Sequence, residues 1–472
     1  MSTAIIESPA QERAAAVPGL GALLVLLTGT FVTTLDFFIV NVAIPATQRD
    51  LHAGPATIQF IVAGFGLALA AGLITGGRLG DLYGRRRMYT LGLSLFTLAS
   101  LACGVAPSAG FLVGGRVAQG VAAAMLMPQV LGIVGTVYTG ERRARAFNAY
   151  GLAMGFGGVF GQLIGGVLIK ADIAGLGWRS VFLINVPVGL VAVPAAMRLV
   201  PESRAPKARL DVVGALLVTA GLVLIVLPLV EGRQQGWPLW TWLSLAAAPF
   251  VLAAFAAYQR RAGERALIHL GLFRHRAFSV GAVIAVLSQM AVASFFLILA
   301  LYLQQGRGLS PLESGLIFLA LGAGYFVSSS RAVQVAGRLG RQVLAVGALT
   351  MALGYGLLAL VAGATGGGIG WLIPGLLLAG CGMGLVMAPL PATALTDVEP
   401  RYAASAAGVM STALQSGGAI GVAVVGVVFY DVLGAARFSA AFVAGLAAVT
   451  CFCLVAAALV QLLPGRRPEE AN

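Results

Sequence analysis

Apolar stretches of about 20 residues follow one another along almost the whole chain, separated by short polar segments in which arginine and glycine recur. Each stretch is long enough to cross a hydrocarbon core of roughly 30 Å as a helix. The alternation of apolar and polar positions that marks membrane β-strands is absent, so helices are predicted and a barrel is not. The predicted spans are 20–43, 57–77, 88–106, 110–133, 145–169 and 178–198, then 211–230 and 239–258, then 277–303, 312–333, 342–362, 371–392, 403–430 and 437–463. They group as six, two and six. The predicted organisation is an N-terminal tail (1–19), an N-terminal six-helix bundle (20–198) and a linker with two inserted helices (199–258). A basic loop (259–276), a C-terminal six-helix bundle (277–463) and a C-terminal tail (464–472) follow.

The basic residues fix an expected orientation. With the N-terminus placed in the cytoplasm, 23 of the 30 Lys and Arg fall on cytoplasmic segments and six on outer ones, leaving Arg116 inside a span. Positive charge is retained on the cytoplasmic side. The strict alternation of this bias supports the even span count and puts both termini in the cytoplasm. The loop 259–276 reads as a topology anchor, with contact to anionic lipid as the alternative.

Composition narrows the class further. The chain has 472 residues, 59% hydrophobic and only 10% charged, against about 25% charge in soluble domains. A net charge of +13 suggests nucleic acid at first sight. The basic residues punctuate the spans instead of forming one face, so no nucleic-acid partner is expected. Cys103, Cys381, Cys451 and Cys453 all lie in apolar runs and read as small core residues, not as a disulfide framework. No His/Cys cluster offers a metal site. No phosphate loop of the Gly-x-x-x-x-Gly-Lys-Ser/Thr type is present, so neither ATP nor any other cofactor is expected and no enzymatic chemistry is implied. The polar segment 1–17 precedes a first span without a small-residue cleavage site, and a retained span is expected there, not a signal peptide.

Asp36 stands out because it is the acidic residue deep within a span. A carboxylate in hydrocarbon is costly and marks an ion or proton pathway by default. Arg116 is the second buried charge. At 1.5 Å rise per residue, both lie about 10 Å below the predicted outer boundary, on helices of the same half. Arg116 is therefore the expected partner, directly or through water, substrate or Gln119; a structural cap on backbone carbonyls is the alternative. Desolvation favours the neutral form of a carboxyl and a guanidinium favours the charged one. Proton and substrate are thus expected to compete for one polar centre.

The loop after the second span reads Gly77-Arg-Leu-Gly-Asp81-Leu-Tyr-Gly84-Arg85-Arg86-Arg87. It combines glycines for a tight turn and close helix approach, one carboxylate and a guanidinium cluster. Asp81 can cap a helix or latch an arginine across a helix interface. This loop resembles the cytoplasmic motif of the major facilitator superfamily. Leu35-Asp36-Phe-Phe-Ile-Val-Asn41-Val-Ala-Ile-Pro45, Arg116-x-x-Gln119-Gly120 and Trp178-Arg179-Ser-Val-Phe182-Leu-Ile-Asn185-Val-Pro187-Val-Gly189 resemble its fourteen-helix drug:proton antiporter branch. The resemblance implies an all-α membrane protein of two six-helix bundles plus two central helices, exporting drugs, dyes or antibiotics.

Span 5 carries Gly157, Gly161 and Gly165 on one stripe, suited to close helix approach. The family's antiporter motif usually has prolines where this chain has Gly158 and Gln162, which leaves simple packing as an equal alternative. Gly77, Asp81, Gly84, Arg85, Arg86 and the three stripe glycines are the gating candidates. Gly337-Arg-Leu-Gly340-Arg341 and Gln415-Ser-Gly-Gly418-Ala-Ile-Gly421 echo the second and fifth spans. Two halves related by an axis along the membrane normal place the site between them at mid-depth. The cavity candidates are Phe37, Asn41, Gln119, Gln162, Gln289, Tyr325 and Gln415, with Phe38 as a further aromatic. The second half has no deep acid, which fits monocations or neutral lipophiles better than dications.

The expectation is a monomeric, multi-pass transporter of the plasma (inner) membrane, exchanging protons for small amphipathic substrates within the lipid bilayer. Its energy source would be the proton gradient, with Asp36 and Arg116 as the coupling residues. A dedicated metabolite, antibiotic or siderophore transporter of the same fold is one alternative. A membrane scaffold without transport is the other, although a scaffold would gain by losing both buried charges.

Overall fold

In the computed structural model the described residues are 19–204, 211–233, 235–263, 268, 270–364, 368–395, 398 and 403–464. The tail 1–18, the linker residues 205–210, residues 264–267 of the basic loop and the C-terminal residues 465–472 lie outside them.

The described chain is helical. In the first half the helices are α1 (Leu20–Asp50), α2 (Pro55–Tyr83), α3 (Arg85–Gly104), α4 (Ala109–Val137), α5 (Gly140–Ala171), α6 (Ser180–Leu183) and α7 (Asn185–Leu199). The two central helices are α8 (Val212–Glu231) and α9 (Leu239–Ala262). The second half comprises α10 (Arg276–Leu301), α11 (Pro311–Leu339), α12 (Gln342–Gly363), α13 (Leu372–Met387), α14 (Leu390–Ala394), α15 (Ala403–Ala435) and α16 (Phe438–Val460). Among the described residues, 13 helical segments are long and apolar enough to cross a membrane. The predicted span 88–106 is α3, a 20-residue helix that opens on three arginines.

Prolines shape the breaks. The predicted sixth span is divided between α6 and α7, because Pro187 has no N–H to return to the Leu183 carbonyl. Pro389 and Pro391 divide the predicted twelfth span in the same way, into α13 and α14. Pro45 and Pro128 sit within α1 and α4 without ending them. Several helices outrun their predicted ends. α1 continues past residue 43 to Asp50, whose carboxylate accepts from Trp178 Nε1 at 2.9 Å and pairs with Arg179 at 2.6 Å. That contact anchors the end of α1 to the turn before α6.

The two halves repeat one packing scheme. α1 packs on α5, α2 on α4, α3 on α4 and α7. Correspondingly, α10 packs on α15, α11 on α13, and α12 on α13 and α16. Across the halves, α5 meets α11 and α2 meets α15. Small residues set these approaches, since hydrocarbon supplies no hydrophobic drive between helices and contact must come from close packing. A Cβ on Gly76 would run into the Ala124 carbonyl, and one on Gly380 into the Leu321 carbonyl. α8 packs on α9 and touches both α2 and α15, so the central pair lies alongside the seam between the halves.

Candidate functional site

The site is built around a fully buried charge pair. Asp36 on α1 and Arg116 on α4 are both 0% exposed and form a direct salt bridge. The other carboxylate oxygen, Oδ1, accepts from Gln119 Nε2 at 3.0 Å and from Asn185 Nδ2 at 2.8 Å. Gln119 also donates to Ser100 Oγ at 2.8 Å, and its Oε1 accepts from Arg116 Nη1 at 2.9 Å. Arg116 Nε donates to the Ile61 carbonyl at 2.9 Å. Its guanidinium carbon lies 4.5 Å from the centre of the Phe65 ring and 5.8 Å from that of Phe182. Arg116 Nη2 is buried with no hydrogen-bond partner among the described residues. Six helices of the first half, α1, α2, α3, α4, α6 and α7, thus converge on one ion pair.

Both sequence readings of Arg116 meet here, because the side chain pairs with the carboxylate and also binds a backbone carbonyl. Further hydrogen bonds to the lone pairs and donors offset the desolvation of such a pair, and here they reach all but Arg116 Nη2 among the described residues. Gln119 supplies that bridge. Asn185, Ser100 and Phe65 were missed in the sequence. Asn185 stood inside the Trp178–Gly189 motif, but nothing in the spacing distinguished it; Ser100 and Phe65 carry no signal of their own.

A cavity of about 60 Å³ lies between the halves. Thr33, Thr34, Phe37 and Phe38 of α1 line it with Phe65 and Leu69 of α2, Met127 of α4 and Met154 of α5; the second half contributes Gln289 of α10 and Gln415 of α15. Phe37, Gln289 and Gln415 are therefore at the cavity, together with Phe38. Gln119 is in the charge network instead. Asn41 and Gln162 both turn to the Phe38 carbonyl, donating at 3.1 and 2.7 Å, and their side-chain oxygens have no partner among the described residues. Tyr325 packs edge-on against Phe326, beside Gly155. The Asp36 carboxylate does not line the cavity. A single polar centre shared by proton and substrate is thus not what the geometry presents: the charges sit behind the cavity wall, within the first bundle.

The loop between α2 and α3 is also tied together. Arg85 pairs with Asp81 at 2.8 Å and donates to the Gly132 carbonyl of α4 at 3.1 Å. Gly84 has φ +107°, a left-handed conformation that favours glycine, and it joins the two helices without a spacer. Glu202, which the sequence reading did not single out, accepts from the backbone N–H of Arg86 at 3.0 Å and faces the Arg86 and Arg87 guanidinium groups at 3.8 Å. Gly77 is in ordinary contact with Pro128, whereas Gly76 against Ala124, Gly80 against the Gln129 amide and Gly84 against the Glu202 carboxylate are in forced contact. Gly157, Gly161 and Gly165 all face α1, where added Cβ atoms would press on Phe31, Leu35 and Ile39. The neighbouring Gly166 faces Pro311 and Leu312 of the second half. At the same end of the molecule, Gln304 Nε2 donates to the Val42 carbonyl at 3.1 Å and Gln305 binds Gln48 at 3.0 Å. The halves therefore touch at the predicted outer end.

Known proteins place this arrangement. The sequence model of the Major Facilitator Superfamily matches residues 26–422. The chain is 40% identical over 425 residues to a "Probable actinorhodin transporter" of Streptomyces coelicolor, covering 88% of this chain and 73% of that protein. It is 38% identical over 414 residues to a "Puromycin resistance protein" of Streptomyces alboniger, covering 86% and 81%. Its fold is similar to a crystal structure of a peptide transporter in complex with sulfate, with a TM-score of 0.68 at 18% identity over 95% of this chain and 96% of the other. The chain is a multi-pass cell-membrane transporter and not an enzyme, and it belongs to the Major Facilitator Superfamily.

Proposed function

We propose that this protein is a proton-coupled antiporter of the fourteen-helix drug:proton branch, exporting amphipathic small molecules such as antibiotics, drugs or dyes. The observation that carries this reading is Asp36: a carboxylate with no exposed surface, held by Arg116, Gln119 and Asn185 beside a cavity between two helical halves. Protonation would remove the negative partner of Arg116 and loosen the contact of α1 with α4 and α7. Charge change at one point would thereby bias the packing of a whole helix, the kind of bistable element that alternating access needs. The cavity wall offers aromatic rings, methionine sulfur, hydroxyls and two amides, but no formal charge. That lining suits neutral lipophiles or cations with delocalised charge.

In this reading the proton gradient is the energy source, no cofactor takes part, and the partners are the lipid bilayer, protons and the exported molecule. The termini face the cytoplasm, and the unit is a monomer of two bundles, 20–198 and 277–463. The relatives named for a single antibiotic favour a second reading, a dedicated exporter of one compound. Efflux of ethidium and of puromycin from cells expressing the protein tests both, with wild type beside Asp36→Asn and with or without an uncoupler. Uncoupler-sensitive efflux lost in an abundant Asp36→Asn protein supports coupling through Asp36. Equal efflux by both proteins overturns it. Efflux of one compound alone favours the dedicated reading.

A further inference from the structure

Phe65 belongs to two environments at once. Phe65 lines the central cavity, its ring 5.8 Å from the Phe37 ring. The ring also lies 4.5 Å from the Arg116 guanidinium carbon. Arg116 in turn holds Asp36, and neither charge has any exposed surface although the cavity is adjacent. Arg116 Nη2 is buried and has no hydrogen-bond partner among the described residues. An aromatic ring offers the cation an electrostatic partner while excluding water.

We propose that Phe65 is the partition between the cavity and the Asp36–Arg116 pair, and that it positions the coupling machinery by deciding when water reaches the carboxylate. The inference rests on the proton-coupled reading above. Cargo in the cavity presses on Phe37 and Phe65 and does not touch the carboxylate. Displacement of the Phe65 ring opens the path behind it; a hydronium ion then gives its proton to a carboxylate oxygen of Asp36, leaving a neutral carboxyl and a water molecule. The reverse step returns the proton to water. Among the described residues, the other charged or titratable groups facing Asp36 within the bundle are Arg116 and Cys103, the latter 3.5 Å from Gln119 Oε1. The Phe65 ring carries no titratable or hydrogen-bonding atom, so as a partition its loss should show as a leak and not merely as weaker transport.

The test uses the full chain in proteoliposomes holding a trapped pH-sensitive dye, with an imposed proton gradient and ethidium as the probe. In wild type, proton movement should follow ethidium movement and be slow without it. Phe65→Ala should raise the ethidium-independent leak about tenfold or more, since the apolar barrier to water is removed. Its ethidium transport should lose dependence on the gradient. Phe65→Val serves if the alanine variant does not fold, and should leak as well. Met154→Ala, in the cavity wall but on α5, should change the ethidium concentration dependence without leak. A folded Phe65→Ala or Phe65→Val protein with wild-type leak and intact coupling overturns the partition. Wild-type ethidium transport without proton movement is a different failure, that of proton coupling itself, and it removes the partition with it.

Discussion

A double-mutant cycle on Asp36 and Arg116 gives the sharpest energetic test of the buried pair. Both side chains are 0% exposed. Arg116→Met would leave a carboxylate in the bundle with only the amides of Gln119 and Asn185 as donors, at 3.0 and 2.8 Å. Asp36→Asn would leave a guanidinium with the Ile61 carbonyl, the Gln119 oxygen and two aromatic rings. Removing one member of a buried ion pair costs roughly 3–5 kcal/mol, because the other charge stays buried and uncompensated. Each single variant should lose about that much. The double variant carries no buried charge and keeps a side chain of similar length at position 116. Such replacements are often neutral or stabilising by about 1–4 kcal/mol. The expected result is therefore a coupling energy larger than either single effect, with the double variant about as stable as wild type and still without proton-coupled transport. Reversible unfolding in mixed micelles would measure the cycle, with efflux measured on the same proteins. Additive losses in the double variant would refute the reasoning, because they would show that each residue is held by its other neighbours and not by the opposite charge.

Other outcomes follow from local geometry. Gly76→Ala should destabilise by about 1–3 kcal/mol, since the new methyl meets the Ala124 backbone, whereas Gly77→Ala, in ordinary contact with Pro128, should be near neutral; unfolding of the pair compares them directly. Glu202→Ala removes the acceptor for the Arg86 N–H at the start of α3 and should cost about 0.5–2 kcal/mol, measured the same way. Gln304→Leu breaks the cross-half bond to the Val42 carbonyl and should raise labelling of a Ser314→Cys reporter by a membrane-impermeant maleimide; unchanged labelling would remove Gln304 from the closed seam. Gln289→Ala and Gln415→Ala should alter the concentration dependence of efflux while leaving unfolding within about 0.5 kcal/mol of wild type.

The sequence alone determined the class and the outline. Repeated apolar runs with arginine punctuation specify helices that cross a bilayer, because every backbone polar group there must be satisfied within its own helix. Matching depth on neighbouring spans was enough to pair Asp36 with Arg116. The tight turn at Gly84 was legible because glycine has a local meaning, and so was an ion pair as one of two roles for Asp81, but only the structure made Arg85 its partner. What the sequence left open is direction around each helix. A helix that is apolar on all sides carries no stripe to show which face meets which neighbour. Only the tertiary structure turned Asp36 into the first bundle and Phe37 into the cavity, though the two are adjacent in sequence. It sent Asn41 and Gln162 to the Phe38 carbonyl and brought Asn185 to the carboxylate from 149 residues away. It also placed Met127, Met154 and Phe65 at the cavity, where nothing in an apolar run distinguishes a wall residue from a packed one. Helix rotation is fixed by close packing of small residues between particular pairs of helices, and that information belongs to the pair and not to either segment.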